Sequence, residues 1–234
     1  MEKQVVSKYR VTNHGEVYTR KQEVNAMLDL VKPETERIES RFLEPACGTR
    51  NFLAEILERK LRVVNARYRK SQLEFERNAV LAVSSIYGID ILQDNIEECR
   101  KRLFGIFDCT YSNLYKKTLK NECRNAVRYI LERNIIWGDA LMLKTVGDNP
   151  QPIVFCEWSP VNGSMLKRRD FTMSMLMHSY LPVQQDLFPQ RDLFSDLGDE
   201  AFIPRPVKEY PLIHFMEIGK GYEYFSADDT DERR

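Results

Sequence analysis

The sequence lacks paired cysteines, clustered histidines and long apolar runs. Its five cysteines (Cys47, Cys99, Cys109, Cys123 and Cys156) are scattered without a Cys-x-x-Cys, and it has three histidines, also dispersed. That spacing argues against a metal site. No apolar stretch approaches the roughly 20 residues that a membrane span requires. Residues 1–10 are charged, unlike a signal peptide. The expectation is a reduced, cytoplasmic protein with no membrane partner. Net charge is also missing: 35 Lys and Arg face 35 Asp and Glu. Nucleic-acid binding would therefore have to come from local patches. There is no Gly-x-Gly-x-x-Gly, which argues against a nicotinamide-dependent oxidoreductase.

What is present is enough for one sizeable domain: 234 residues, 43% hydrophobic. Phe42 to Leu53 reads as a short buried strand, a tight small-residue turn and a helix start, with Phe52, Ile56 and Leu57 continuing at helical spacing. Such turns let a backbone approach a nucleotide-like ligand, with a helix N-terminus facing it. Upstream, Thr19 and Gln22 have the form of a capping box, and Val24, Met27, Leu28 and Val31 form one apolar face before Pro33. The helix after the turn is expected to run to about Lys60. Residues 60–78 read as a solvated helix or loop, in which Lys60, Arg62, Arg67, Arg69 and Lys70 surround Tyr68. Those cations suit either phosphate contact or an ordinary wet face.

The second strand is expected within 81–91, ending at Asp90. A carboxylate there can accept hydrogen bonds from both hydroxyls of a ribose. Ile96, Cys99, Leu103 and Phe107 give the next helix a core face, and Leu114 to Leu131 reads as another helix. Asn134 to Leu141 holds a third strand ending at Asp139. Ile153 to Cys156 reads as the fourth strand, followed by Glu157-Trp158-Ser159-Pro160-Val161-Asn162. Lys167-Arg168-Arg169 is a compact basic cluster suited to phosphate. Residues 180–211 are proline-rich with two Asp-Leu-Phe copies. Leu212 to Ile218 reads as a last strand, and the end is charged.

Residues 42–53 resemble the first motif of S-adenosylmethionine (SAM)-dependent DNA methyltransferases that modify adenine amino groups, where it reads Glu-Pro-Ala-Cys-Gly-Thr-Gly-Asn-Phe. Arg50 stands where that family has glycine. Residues 15–28 resemble a further motif, Gly-Glu-Val-Phe-Thr-Pro followed by Val-Asn-x-Met-Leu, with Tyr18 for Phe and Arg20 for Pro. The resemblance implies a Rossmann-like class I methyltransferase sheet of α/β type, with helices on both faces and incomplete on its C-terminal side. It assigns SAM to Tyr18, Thr19, Glu44, Ala46, Gly48, Asn51, Asp90 and Asp139, whose strand ends would line one crevice. The family's catalytic tetrad, Asn/Asp/Ser-Pro-Pro-aromatic, orients a flipped-out adenine amino group. Here Ser159, Pro160 and Asn162 occupy it, without the second proline or the ring. Trp158, Lys167, Arg168 and Arg169 become candidate nucleic-acid contacts.

The same resemblance divides the chain into an N-terminal segment with the SAM-pocket helix (1–36), a methyltransferase-like core (37–178) and a Pro-rich tail (179–234). Two functions follow from it. One is an enzyme transferring methyl from SAM to adenine in DNA within a bacterial restriction-modification or defence system. It would be completed by a partner subunit, which is a missing methyltransferase half, a specificity subunit or a nuclease. The other is a catalytically impaired regulatory or assembly subunit with the same fold. The order of the motifs favours the enzyme, which is the leading reading, while Arg50, the degenerate tetrad and the short C-terminal part favour the second. Gln184 to Phe188 also resembles a sliding-clamp-binding pentapeptide, lacking its Leu.

Overall fold

A computed structural model describes Thr12 and residues 19–48, 51–178 and 204–221. Tyr18, Thr49, Arg50 and the clamp-like segment 184–188 lie outside them. The described chain is mixed α/β. In order it forms helices α1 (Lys21–Asp29) and α2 (Lys32–Thr35), strand β1 (Phe42–Glu44), α3 (Asn51–Tyr68), α4 (Gln72–Ser84), β2 (Ile86–Asp90), α5 (Gln93–Tyr115) and α6 (Asn121–Asn134). Then come β3 (Ile135–Asp139), β4 (Lys144–Thr145), β5 (Val154–Pro160), β6 (Met165–Thr172), α7 (Met173–His178), β7 (Lys208–Glu209), β8 (Ile213–His214) and a 3-10 helix (Phe215–Lys220). Among the described residues no helix is long and apolar enough to cross a membrane.

The first sheet is four-stranded and mixed, in the order β1-β2-β3-β4. β1, β2 and β3 run parallel, with Leu43 opposite Tyr87 and Ile89 opposite Ile136, and β4 turns back antiparallel. Parallel neighbours need crossovers, and the helices between these strands supply them. Each helix buries a stripe at helical spacing: Leu53, Ile56, Leu57, Leu61 and Val64 on α3, and Ile96, Cys99, Leu103, Phe107 and Tyr111 on α5. Alternation along β2 splits the core. Ile86 joins the helical cluster, while Tyr87 and Ile89 meet Ile153, Phe155 and Met173 on the opposite face.

Strand β5 lies in a separate sheet. It pairs antiparallel with β6, and β6 also pairs with β7 and β8. The fourth parallel strand expected at Ile153 to Cys156 is therefore replaced by an antiparallel hairpin running to Thr172. On the Tyr87 face the described layer comes from β5 and α7 instead of a crossover helix.

Helix boundaries also differ from the sequence reading. α3 continues through Lys60 to Tyr68, and Leu81 belongs to α4, not to a strand. The helix expected from Leu114 to Leu131 is the end of α5 and the whole of α6, broken at 116–120. Lys60 is fully buried rather than wet. Its ammonium donates to the Ile38 carbonyl (3.0 Å), the Ser40 carbonyl and Ser85 Oγ (2.6 Å), tying α3 to the approach of β1. The Leu212 to Ile218 strand is split into β8 and the 3-10 helix, which packs on α6 so tightly that a Cβ on Gly219 would lie 2.7 Å from Asn125 Cβ.

Candidate functional site

The carboxyl ends of β1, β2 and β3 lie along one edge of the first sheet, as parallel pairing requires. There the chain after β1 makes its tight turn. Gly48 has φ +43°, a conformation that glycine adopts without steric cost. The turn is fastened to β2 twice. Cys47 N–H donates to the Ile89 carbonyl (2.8 Å), and Gly48 N–H donates to Asp90 Oδ2 (2.7 Å). Gly88 leaves the room this needs, since a Cβ there would meet Leu53 Cδ1 at 2.9 Å and Cys47 Sγ at 3.2 Å.

Asp90 is buried, and its carboxylate is largely committed. Besides Gly48, Oδ1 accepts from Leu92 N–H (2.8 Å) and from Asn95 Nδ2 (3.2 Å). A carboxylate offers about four acceptor positions, so three are used within the chain. Glu44 ends β1 nearby, and burial raises its pKa. Asp139 ends β3, and its Oδ1 accepts from Leu141 and Met142 N–H (2.8 and 3.1 Å). Leu143 follows at φ +57°, the one non-glycine residue with positive φ among the described residues. Trp137 Nε1 donates to the Ile91 carbonyl (2.9 Å), joining the turns after β2 and β3.

The N-terminal motif reaches the same edge. Asn51, the first residue of α3, donates through Nδ2 to the Thr19 carbonyl (2.8 Å), and its Oδ1 accepts from Arg102 Nη1 (3.0 Å). The cap of α1 is shifted from the expected Thr19: Arg20 is the N-cap, and its N–H donates to Glu23 Oε2 (3.1 Å). Arg59 locks α1 onto α3 through Asn25 Oδ1 (2.9 Å), Asp29 (2.9 Å) and Glu55 (3.2 Å). Thr19, Glu44, Ala46, Gly48, Asn51, Asp90 and Asp139 thus share the carboxyl edge or its immediate turns.

The remaining candidates do not join them. β5 starts beside β3, where Ile153 N–H donates to the Leu143 carbonyl (3.0 Å) and Ile153 Cδ1 crowds Gly138. It then runs toward the amino end of the parallel strands. Tyr87 hydroxyl donates to the Cys156 carbonyl (3.0 Å), and Glu157 pairs with Arg41, just before β1. Beyond that, Arg77 on α4 donates to the Gly163 carbonyl (3.1 Å). Ser159, Pro160 and Asn162 are therefore at the hairpin turn, on the amino side of the sheet. The expectation that they cap a parallel strand beside Asp90 is corrected by the direction of β5.

Their basic and aromatic neighbours are engaged as well. Trp158 is 4% exposed and packs edge-on against Tyr129, so it is no open stacking platform. Arg168 is buried and bidentate to Asp170 (2.8 and 2.7 Å), under Tyr210 at 4.1 Å. Burial opposes its charge, but the hydrogen bonds to Asp170 prevail and its pKa is raised. Arg169 pairs with Glu157 (3.0 Å) and donates to Ser159 Oγ (3.3 Å), and Lys167 pairs with Glu209 (3.2 Å). The cluster expected at phosphate is neutralised in place. Asn95 and Arg102 carry no signal in the sequence, because each acts through a partner across a helix start or far away in the chain. The hairpin did leave a signal, the Asn162-Gly163 dipeptide, with Gly163 at φ +56°. No protein-family model, curated protein or solved structure matches the chain.

Proposed function

We propose that the chain is a methyltransferase-like regulatory or assembly subunit of a bacterial DNA-modification or defence system, holding SAM at the carboxyl edge without transferring methyl by itself. The observation that carries this reading is the separation of its two halves. The turn and strand-end acids lie at one end of the parallel strands, and Ser159-Pro160 lies beyond the other. Methyl transfer needs the acceptor amino group within bonding approach of the methyl sulfonium, and no such approach joins these two ends.

The residues fit a nucleoside in part. Asp139 keeps Oδ2 for an adenine amino donor, since both of its described bonds use Oδ1. Gly48 supplies the close backbone approach. Asp90 fits a ribose less well, because taking both hydroxyls would displace Leu92 N–H or Asn95. SAM, when bound, would supply an activated methyl group. Asp90 and Asp139 would hold its nucleoside, and Thr19 and Asn51 would fix the approach of α1. Adenine methylation in DNA, the fuller reading of the resemblance, would then require a partner chain to orient the target amino group at the carboxyl edge. The Rossmann-like methyltransferase sheet belongs to this proposal too. Its support is the parallel β1-β2-β3 order with an acid closing each strand.

Calorimetric titration of SAM into the full chain tests the reading, beside Asp90→Ala and Arg50→Gly. Binding by the wild type, lost in Asp90→Ala, together with no methyl incorporation into DNA, supports it. Incorporation by the purified chain alone overturns the non-catalytic part. Absence of SAM binding by both the wild type and Arg50→Gly overturns the cofactor part.

A further inference from the structure

The balanced net charge conceals a cation-rich corner. α3 ends at Tyr68 and α5 at Tyr115, and the segments that follow them meet. Tyr115 hydroxyl donates to the Arg69 carbonyl (2.9 Å), Thr118 Oγ1 to Gln72 Oε1 (2.6 Å), and Gln72 Nε2 to the Thr118 carbonyl (2.7 Å). These bonds bring Arg67, Arg69 and Lys70 together with Lys116 and Lys117. All five are exposed, and none makes an ion pair among the described residues. Of the nearby carboxylates, Glu74 holds Arg77 (2.5 Å) and Glu76 holds Lys120 (2.8 Å), while Glu122 in the first turn of α6 is exposed, so the cations outnumber the acids but do not stand alone.

Cations at a helix C-terminus are ordinary, since each offsets part of the dipole. Two chain segments converging with five unpaired cations is a different matter, because mutual repulsion opposes the arrangement unless an anionic surface meets it. We infer that this corner binds the phosphate backbone of duplex DNA, without reading its bases. A duplex carries about one charge per 1.7 Å of axis, a match for closely spaced cations. Among the described residues, Leu73 (46% exposed) is the corner's large exposed apolar side chain, too little to anchor a membrane surface. The 18 residues of α3 place the corner about 27 Å from the carboxyl edge. DNA held there engages a face remote from the proposed cofactor edge, and the inference stands whether or not SAM binds.

The test is anisotropy of a labelled DNA duplex titrated with the full chain across about 50 to 200 mM salt. Five phosphate contacts predict a slope of log K against log salt of about −4.5. Arg67→Gln/Arg69→Gln/Lys70→Gln should flatten it to about −1.8, and Lys116→Gln/Lys117→Gln to about −2.7. Lys101→Gln, on an exposed face of α5, should leave it unchanged. Thermal melts check that the folds are equal, and SAM titration of the triple variant should match the wild type. No duplex binding at the lowest salt, an unaltered slope in both corner variants, or capture by phosphatidylserine vesicles in preference to duplex overturns the inference.

Discussion

The carboxyl edge and the β5–β6 hairpin solve the burial of charge in different ways. At the carboxyl edge a single carboxylate, Asp90, is satisfied by neutral donors from the turn before it and the helix after it. In the hairpin a guanidinium and a carboxylate, Arg168 and Asp170, are buried as a bidentate pair and roofed by Tyr210. An acid held by backbone N–H groups can exchange one of them for a ligand. An ion pair closed on itself cannot do so without leaving a bare charge. The difference separates an acid whose donors are exchangeable from an ion pair that anchors Tyr210, whose N–H and hydroxyl bind the Arg168 carbonyl and Asp170.

The largest effect should come from breaking the closed pair. Asp170→Ala strands Arg168 in the interior and should cost about 3–5 kcal/mol, read from the urea midpoint. Arg168→Met/Asp170→Leu should recover most of it. A loss under about 1 kcal/mol in Asp170→Ala would mean the pair is not closed off from water. Asp90→Ala should cost less, about 2–3 kcal/mol, because the donors it leaves at the turn can find water. It should also loosen the turn at 45–48, seen as faster amide exchange there.

Lys60 sharpens the contrast, being a buried charge held by carbonyls with no carboxylate in its hydrogen bonds. Burial pulls its pKa down to about 7, so the unfolded chain binds that proton more tightly. The Lys60 contribution to stability should therefore rise by about 1–2 kcal/mol as pH goes from 7 to 8.5, read as the difference between the wild type and Lys60→Met. Buried thiols oppose this rise from about pH 8 upward. The thiols of Cys123 and Cys156 have folded pKa values raised by burial, so they ionise first in the unfolded chain and stability falls. Gly88→Ala presses on Leu53 and Cys47 and should cost about 1–2 kcal/mol. The smallest change should be Ser159→Ala, within about 0.5 kcal/mol, because its half-buried hydroxyl has one long described bond, accepted from Arg169 at 3.3 Å.

The carboxyl edge was legible because its signals are local. A strand, a small-residue turn and a helix start are contiguous at Phe42 to Leu53, and an acid ends each of the next two strands. The direction of β5 was not legible. Ile153 to Cys156 is a short apolar run of a kind that fits either a parallel or an antiparallel strand, and the run after it ends in a proline. β6 was hidden by its own charges, because Lys167-Arg168-Arg169-Asp170 reads as solvated until Arg168 and Asp170 are seen to neutralise one another. The burial of Lys60 is hidden for a similar reason: its acceptors include the carbonyls of Ile38 and Ser40, which no side-chain pattern reveals. Lys116 and Lys117 gained meaning only when Tyr115 and Thr118 placed them beside Arg69 and Gln72.

The proposed SAM site is the carboxyl edge, with no part taken by the Ser159-Pro160 hairpin. Hydrogen–deuterium exchange of the full chain, with and without saturating SAM, tests it most directly. The account predicts protection at residues 44–51, 89–95 and 137–142, with peptides covering 157–165 unchanged. Protection of the hairpin by SAM, with the turn at Gly48 unaffected, would contradict it.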